Sequence, residues 1–186
     1  MSITKIKNGL IVWCLWNDPK SVHDHYAKHD SPPQDYLEAD LSYIPFVLSN
    51  VRLLITKLTT NVPIYLHSTD EQSILESIKN HTLLYNEKKD TRYHSFDIES
   101  YEKSIDFWID QNKIERILIV GISYNICLTS CYSILDKLQS SRSFEYYTVA
   151  GCTANVYFQN KNGKRIRTYT PVPKIDQKKF IDLEMI

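Results

Sequence analysis

The chain has 186 residues, 42% hydrophobic and 24% charged, with 22 Lys and Arg against 22 Asp and Glu and no formal net charge. That composition suits one globular domain over 1–186 with a sizeable core, and it excludes a disordered chain; with no basic excess or basic face, nucleic acid is not the expected partner. No membrane partner is expected either, because the longest apolar runs, LIVWCLW and ILIVGI, are far shorter than a span and the N-terminus MSITKIKNGL lacks the apolar stretch of a signal peptide.

In chain order, GLIVWCL (9–15) is a short apolar run between polar flanks, the pattern of a strand buried on both faces. A long polar loop follows, containing three prolines and the histidines His23, His25 and His29. Residues 41–61 carry Ile44, Val47, Leu48, Val51, Leu54, Ile55 and Leu58 at spacings of three and four, which predicts an amphipathic helix. VPIYLH (62–67) predicts a strand, STDEQSILESIKN a capped helix, and HTLLYN a short third strand. After the polar loop EKKDTRYHSF comes a helix over 97–113, with Tyr101, Ile105, Trp108 and Ile109 on one side. IERILIVGI predicts the strongest strand, ICLTSCYSILDKLQS a helix, and FEYYTVAG a fifth strand. Beyond residue 152, two β-rich runs around NKNG predict a hairpin, and the tail KIDQKKFIDLEMI reads equally as helix or edge strand. Strands alternating with helices imply parallel strands joined by right-handed crossovers. The expected fold is therefore α/β, with an open, mostly parallel sheet covered on both sides, a core over about 8–152 and a divergent C-terminal segment over 153–186.

Parallel sheets place their ligand sites beyond the carboxyl ends of the strands. Gly121 ends the strongest strand and Cys127 opens the helix that follows. Free N–H groups and the helix dipole at that point favour a thiolate and can serve as an oxyanion hole. The plainer reading is that Cys127 packs as a small hydrophobe. Cysteine usage points the same two ways. Cys14, Cys127, Cys131 and Cys152 are widely spaced, so reduced thiols in a cytoplasmic protein are expected, and all four fall near one end of the sheet.

The stretch ILIVGISYNICLTSCYSIL (117–135) resembles the signature of the isochorismatase-like cysteine hydrolases, which include nicotinamidases and N-carbamoylsarcosine amidohydrolases. Their motif is an apolar strand, then Gly-Val-Ala-Thr-Asn-Ile-Cys-Val, then a helix; Gly121, Ile122, Asn125, Ile126 and Cys127 match that frame. GLIVWCLWND is similar to the family's first strand, NVPIYLH to its second, and RYHSF to its Lys-Pro-Arg-Tyr-Ser-Ala-Phe segment, so the resemblance runs over roughly 8–150. It implies a three-layer α/β/α, Rossmann-like sandwich with strand order 3-2-1-4-5, here carrying an added C-terminal β-hairpin. It also implies a cis peptide at Ile122–Ser123, a homo-oligomer, and a pocket in which Trp16, Arg92, Ile122 and Ser123 stand near a small-molecule ligand.

The family hydrolyses amides or enol ethers with an Asp–Lys–Cys triad. The Asp takes the thiol proton, the Lys helps hold the charges, and in the amidases the Cys attacks a carbonyl. Here the Asp position falls on Cys14 and the Lys position on Asp90, and only Cys127 is kept. A thiol is a poor substitute for a carboxylate base, its reference pKa being about four units higher. An acidic residue at the Lys position repels a thiolate instead of stabilising it. The nicotinamidase metal site, Asp-x-His after the second strand, is replaced by Asp70-Glu71-Gln72, so neither a metal nor another cofactor is expected. Three readings follow: a catalytically inactive family member kept for binding or assembly; an active Cys127 hydrolase of a small amide with Asp18 or His94 as base; and a thiol redox or soft-metal role for Cys14 and Cys127. Against the last stands the plain packing of buried cysteines.

Overall fold

In the first strand, β1 (Asn8–Trp13), every residue from Gly9 onward is buried, as a strand covered on both faces requires. The computed structural model describes residues 6–15, 39–40, 43–67, 72–81, 84–86, 98–122, 124–125, 127–161, 164–173 and 179–186. Seven further strands pair with β1 in one sheet: β2 (Ala39–Asp40), β3 (Ile64–His67), β4 (Leu84–Asn86), β5 (Arg116–Ile122), β6 (Glu145–Lys161), β7 (Lys164–Thr170) and β8 (Phe180–Ile181). Their order is β2-β7-β6-β5-β1-β3-β4, with β8 beside β6. The central run β4-β3-β1-β5-β6 is parallel throughout, so the protein is α/β with a mostly parallel open sheet. Counting only those five strands in chain order, the arrangement is 3-2-1-4-5.

Side chains of β1 alternate between two cores, as the pleat dictates. Leu10 and Val12 pack with Val47, Val51 and Leu54 of α1 (Ile44–Lys57) and with Ile74 and Ile78 of α2 (Gln72–Ile78). Ile11 and Trp13 pack with Tyr101, Ile105 and Trp108 of α3 (Ile98–Asn112) and with Leu128, Ile134 and Leu135 of α4 (Cys127–Gln139). The buried residues of α1 and α3 are those at the predicted helical spacings. The predicted helix over 41–61 is shorter at both ends: Pro45 sits in its first turn, where its missing N–H costs nothing, and Leu58 turns to extended backbone at ψ 141°. Among the described residues, no helix is long and apolar enough to cross a membrane.

The C-terminal third differs from expectation in one respect. β6 does not end near residue 151; it runs on through Lys161. Its first part lies parallel to β5, its register then shifts opposite Ile119 and Gly121, and from Asn155 onward it pairs antiparallel with β7. Gly151 lies at that irregularity with φ +74°, a conformation that disfavours a side chain, and its carbonyl accepts a hydrogen bond from Asn50 Nδ2 at 3.0 Å. The tail resolves as an edge strand followed by a 3-10 turn at Leu183–Met185: β8 lies parallel to β6, and Thr148 N–H donates to the Lys179 carbonyl at 2.8 Å. Lys179 Nζ donates to the Tyr146 hydroxyl at 2.7 Å and Phe180 packs on Tyr124 at 5.4 Å, so tyrosines seat the tail.

Candidate functional site

From β1 the chain builds outward through β3 and β4, then returns to place β5 on the other side of β1. The point where the order reverses, between β1 and β5, is where open parallel sheets leave a crevice at the carboxyl ends of their strands. Trp13 pairs with Gly121 on one side and with His67 on the other. A Cβ on Gly121 would lie 2.0 Å from the Trp13 carbonyl oxygen, so only glycine allows this approach of the two strands.

Cys14, the residue after β1, has φ +50°, a left-handed conformation uncommon in a residue with a side chain. Backbone bonds on both sides hold it there. Its N–H donates to the His67 carbonyl at 2.9 Å, and its carbonyl accepts from Ile122 N–H at 3.4 Å. The Cys14 side chain is buried, with Sγ 3.6 Å from His67 Nδ1, in the core cluster against which Cys127 packs. The neighbouring Cys127, followed by burial, pushes the Cys14 thiol well above the ordinary cysteine range, so it stays protonated at neutral pH. Cys127 is half-buried at the first position of α4. The turn before it is clamped to β6: the Asn125 amide donates to the Val156 carbonyl and accepts from Val156 N–H, each at 2.9 Å.

His67, the last residue of β3, is buried and stacks on Trp13 with ring centroids 3.8 Å apart and planes 11° from parallel. Tyr101 meets His67 edge-on at 4.8 Å. Burial lowers the imidazole to about 4, so it is neutral where most proteins work. Cys131, one turn along α4 from Cys127, is fully buried, and burial raises its thiol as well. The Cys14 thiol and the His67 imidazole are thus both neutral, in an aromatic surround. Moving a proton from Cys14 to His67 would leave two charges in a desolvated space, which burial opposes. Such a cluster can hydrogen-bond, pack and be oxidised; among the described residues it supplies no carboxylate base.

Of the residues singled out in the sequence, Cys14 and Cys127 are brought together. Ile122 contributes its N–H to Cys14, while its side chain is buried in the core under α1. Cys152 stands apart from the other cysteines, because it is buried in that same opposite core. Trp16, Asp18, the histidines at 23, 25 and 29, Asp90, Arg92, His94 and Ser123 lie outside the described residues, and with Ser123 the Ile122–Ser123 peptide. Among the described residues no group of three or more His, Cys, Asp or Glu is arranged to hold a metal ion. Sequence reading assigns His67 only to a strand and Tyr101 only to a buried helical stripe. The usable signal for His67 is its position. Ends of neighbouring parallel strands align, so the last residue of the strand beside β1 meets the residue that leaves β1. Comparison of the chain with protein-family models, with curated proteins and with solved structures finds no match.

Proposed function

We propose that this chain is an isochorismatase-like protein, a three-layer α/β/α sandwich with a C-terminal β-hairpin, that no longer hydrolyses substrates and works in the cytoplasm by binding or assembly. The observation that carries the reading is Cys14. It stands at the position of the family's base, yet it is a buried thiol held protonated by Cys127 and by burial. The strand order, the helices on both faces and the cysteine that opens α4 support the family reading. Asp90, at the position of the family's lysine, opposes a thiolate by its sign. The same reading includes a small-molecule ligand at the strand ends and a homo-oligomer whose interface takes in the Tyr-rich segment 155–170, where Tyr157 is exposed.

The test is turnover by the purified full chain of nicotinamide, isochorismate and simple carbamoyl amides, with its mass read by light scattering. No turnover above buffer, and a mass at least twice the 21.8 kDa of one chain, are expected. Turnover that Cys127→Ala abolishes would overturn the reading in favour of an active cysteine hydrolase; a monomer at working concentration would remove the oligomer from it.

A further inference from the structure

We propose that Cys14 and Cys127 form a dithiol site whose substrate is a peroxide, which it reduces while closing to an intramolecular disulfide. The inference goes beyond the non-hydrolytic reading and stands without it.

Geometry supplies the first argument. Cys127 packs against the core cluster that holds Cys14, and each is carried by backbone tied to neighbouring strands. Cys14 is pinned through its N–H to β3 and through its carbonyl to β5. Cys127 begins a helix whose preceding turn is tied to β6 by both ends of the Asn125 amide. A disulfide forms only where the chain already holds two cysteines near each other, and two elements meeting at a switch point do so. The strained backbone of Cys14 is what places its side chain here instead of along the strand.

Division of labour supplies the second. Cys127 has solvent access and lies at the N-terminus of a 13-residue helix, whose dipole favours a thiolate and then a sulfenate. Cys14 is only 5% exposed, sheltered from reagents but within reach of Cys127. His67 Nδ1, 3.6 Å from Cys14 Sγ, gives that thiol a hydrogen-bond partner that fixes its position. In the first step the Cys127 thiolate attacks one peroxide oxygen. The S–O bond forms, the O–O bond breaks, and the departing oxygen takes a proton and leaves as water or an alcohol. In the second, Cys14 Sγ attacks the Cys127 sulfur. The S–S bond forms, the S–O bond breaks, and hydroxide leaves as water with the proton from Cys14. Two thiols lose two electrons to the peroxide, and a dithiol reductant restores them. Cys152, buried on the other face, takes no part.

The experiment treats the reduced full chain with equimolar hydrogen peroxide and counts thiols after denaturation. The expected result is a fall from four thiols to two, a peptide map linking Cys14 to Cys127, and return to four with dithiothreitol. In Cys14→Ser, Cys127 should instead carry a sulfenic acid that dimedone traps. Should that buried variant fail to fold, Cys127→Ser, at a half-buried position, decides the matter: it should form no intramolecular disulfide. An unchanged thiol count, a link through Cys131 or Cys152, a link between chains, or over-oxidation of Cys127 without pairing would each overturn the proposal. Thiol counting involves no hydrolysis assay, so failure here leaves the turnover result to stand by itself.

Discussion

The two faces of the sheet share β1 and β5 but are built from different chemistry. Under α1 and α2 the core is almost wholly aliphatic, with Leu10, Val12, Val51, Leu54, Ile64 and Val120 at its centre. Under α3 and α4, Trp13 of β1, Tyr65 of β3 and Cys14 just after β1 join Tyr101, Trp108 and Cys131 in one core. An aliphatic core offers burial and close packing and little else. A core of rings and thiols packs nearly as well but also holds groups that stack, titrate and oxidise. Alternation along one strand therefore lets a single sheet keep a structural face and a reactive face. The reactive groups concentrate at the strand ends, where Trp13, Cys14 and His67 converge.

The largest effect is expected where both faces depend on one contact. Gly121→Ala would drive a Cβ to 2.0 Å from the Trp13 carbonyl, backbone against backbone, so β1 and β5 must separate. Loss of more than about 4 kcal/mol is expected, read from the denaturant midpoint. Near-normal stability for that variant would mean that the β1–β5 approach can widen without cost, and that the two cores are less tightly coupled than their shared strands imply.

Much of this division is legible in the sequence, and the reasons for the rest are physical. The aliphatic face shows itself in the three-and-four spacing of Ile44 to Leu58, because an amphipathic helix writes its buried stripe locally. Cys14 and Cys127 are found by placing motifs at strand ends. His67 is not, since a histidine that ends an apolar run carries no local mark of its role; it gains one only through pairing with β1, fifty-odd residues away in the chain. The length of β6 is hidden because glycine at 151 reads as a stop, whereas here it is a positive-φ residue inside a continuous strand. β8 is two residues long and exists through its pairing to the edge of β6, which no periodicity encodes.

The next effect separates the faces by pH. His67 titrates at about 4 in the folded chain against about 6.5 unfolded, because burial penalises its charged form. Between those values the unfolded state binds a proton that the folded state does not. Stability is therefore whole above pH 6.5, falls as pH drops through the window, and stops changing on this account below about 4. The loss is roughly 3 kcal/mol at the acid end. In His67→Phe, which keeps a ring to stack on Trp13, the difference from the wild-type profile should have this shape, with the variant relatively more stable toward acid. Parallel profiles for the two chains, from chemical denaturation at successive pH values, would show that His67 titrates normally and that the second face is not closed to water.

The smallest effect is kinetic and leaves the fold untouched. All four cysteines are free thiols, but the faces present them differently. Cys152 is fully buried in the aliphatic core and burial pushes it up to about 12, so at pH 8 roughly one molecule in ten thousand would hold it as a thiolate. Cys131 and Cys14 are buried and raised as well. Cys127 alone combines access with a helix N-terminus. Alkylation of the reduced, folded chain with iodoacetamide at pH 8 should give a single adduct, at Cys127, with the other three sites labelled only after denaturation. Cys14 should follow Cys127 on partial unfolding of the strand ends, and Cys152 should come last, because reaching it requires opening the core beneath α1. Mass spectrometry of timed digests reads the order directly, and equal rates at Cys127 and Cys152 would erase the chemical distinction between the two faces.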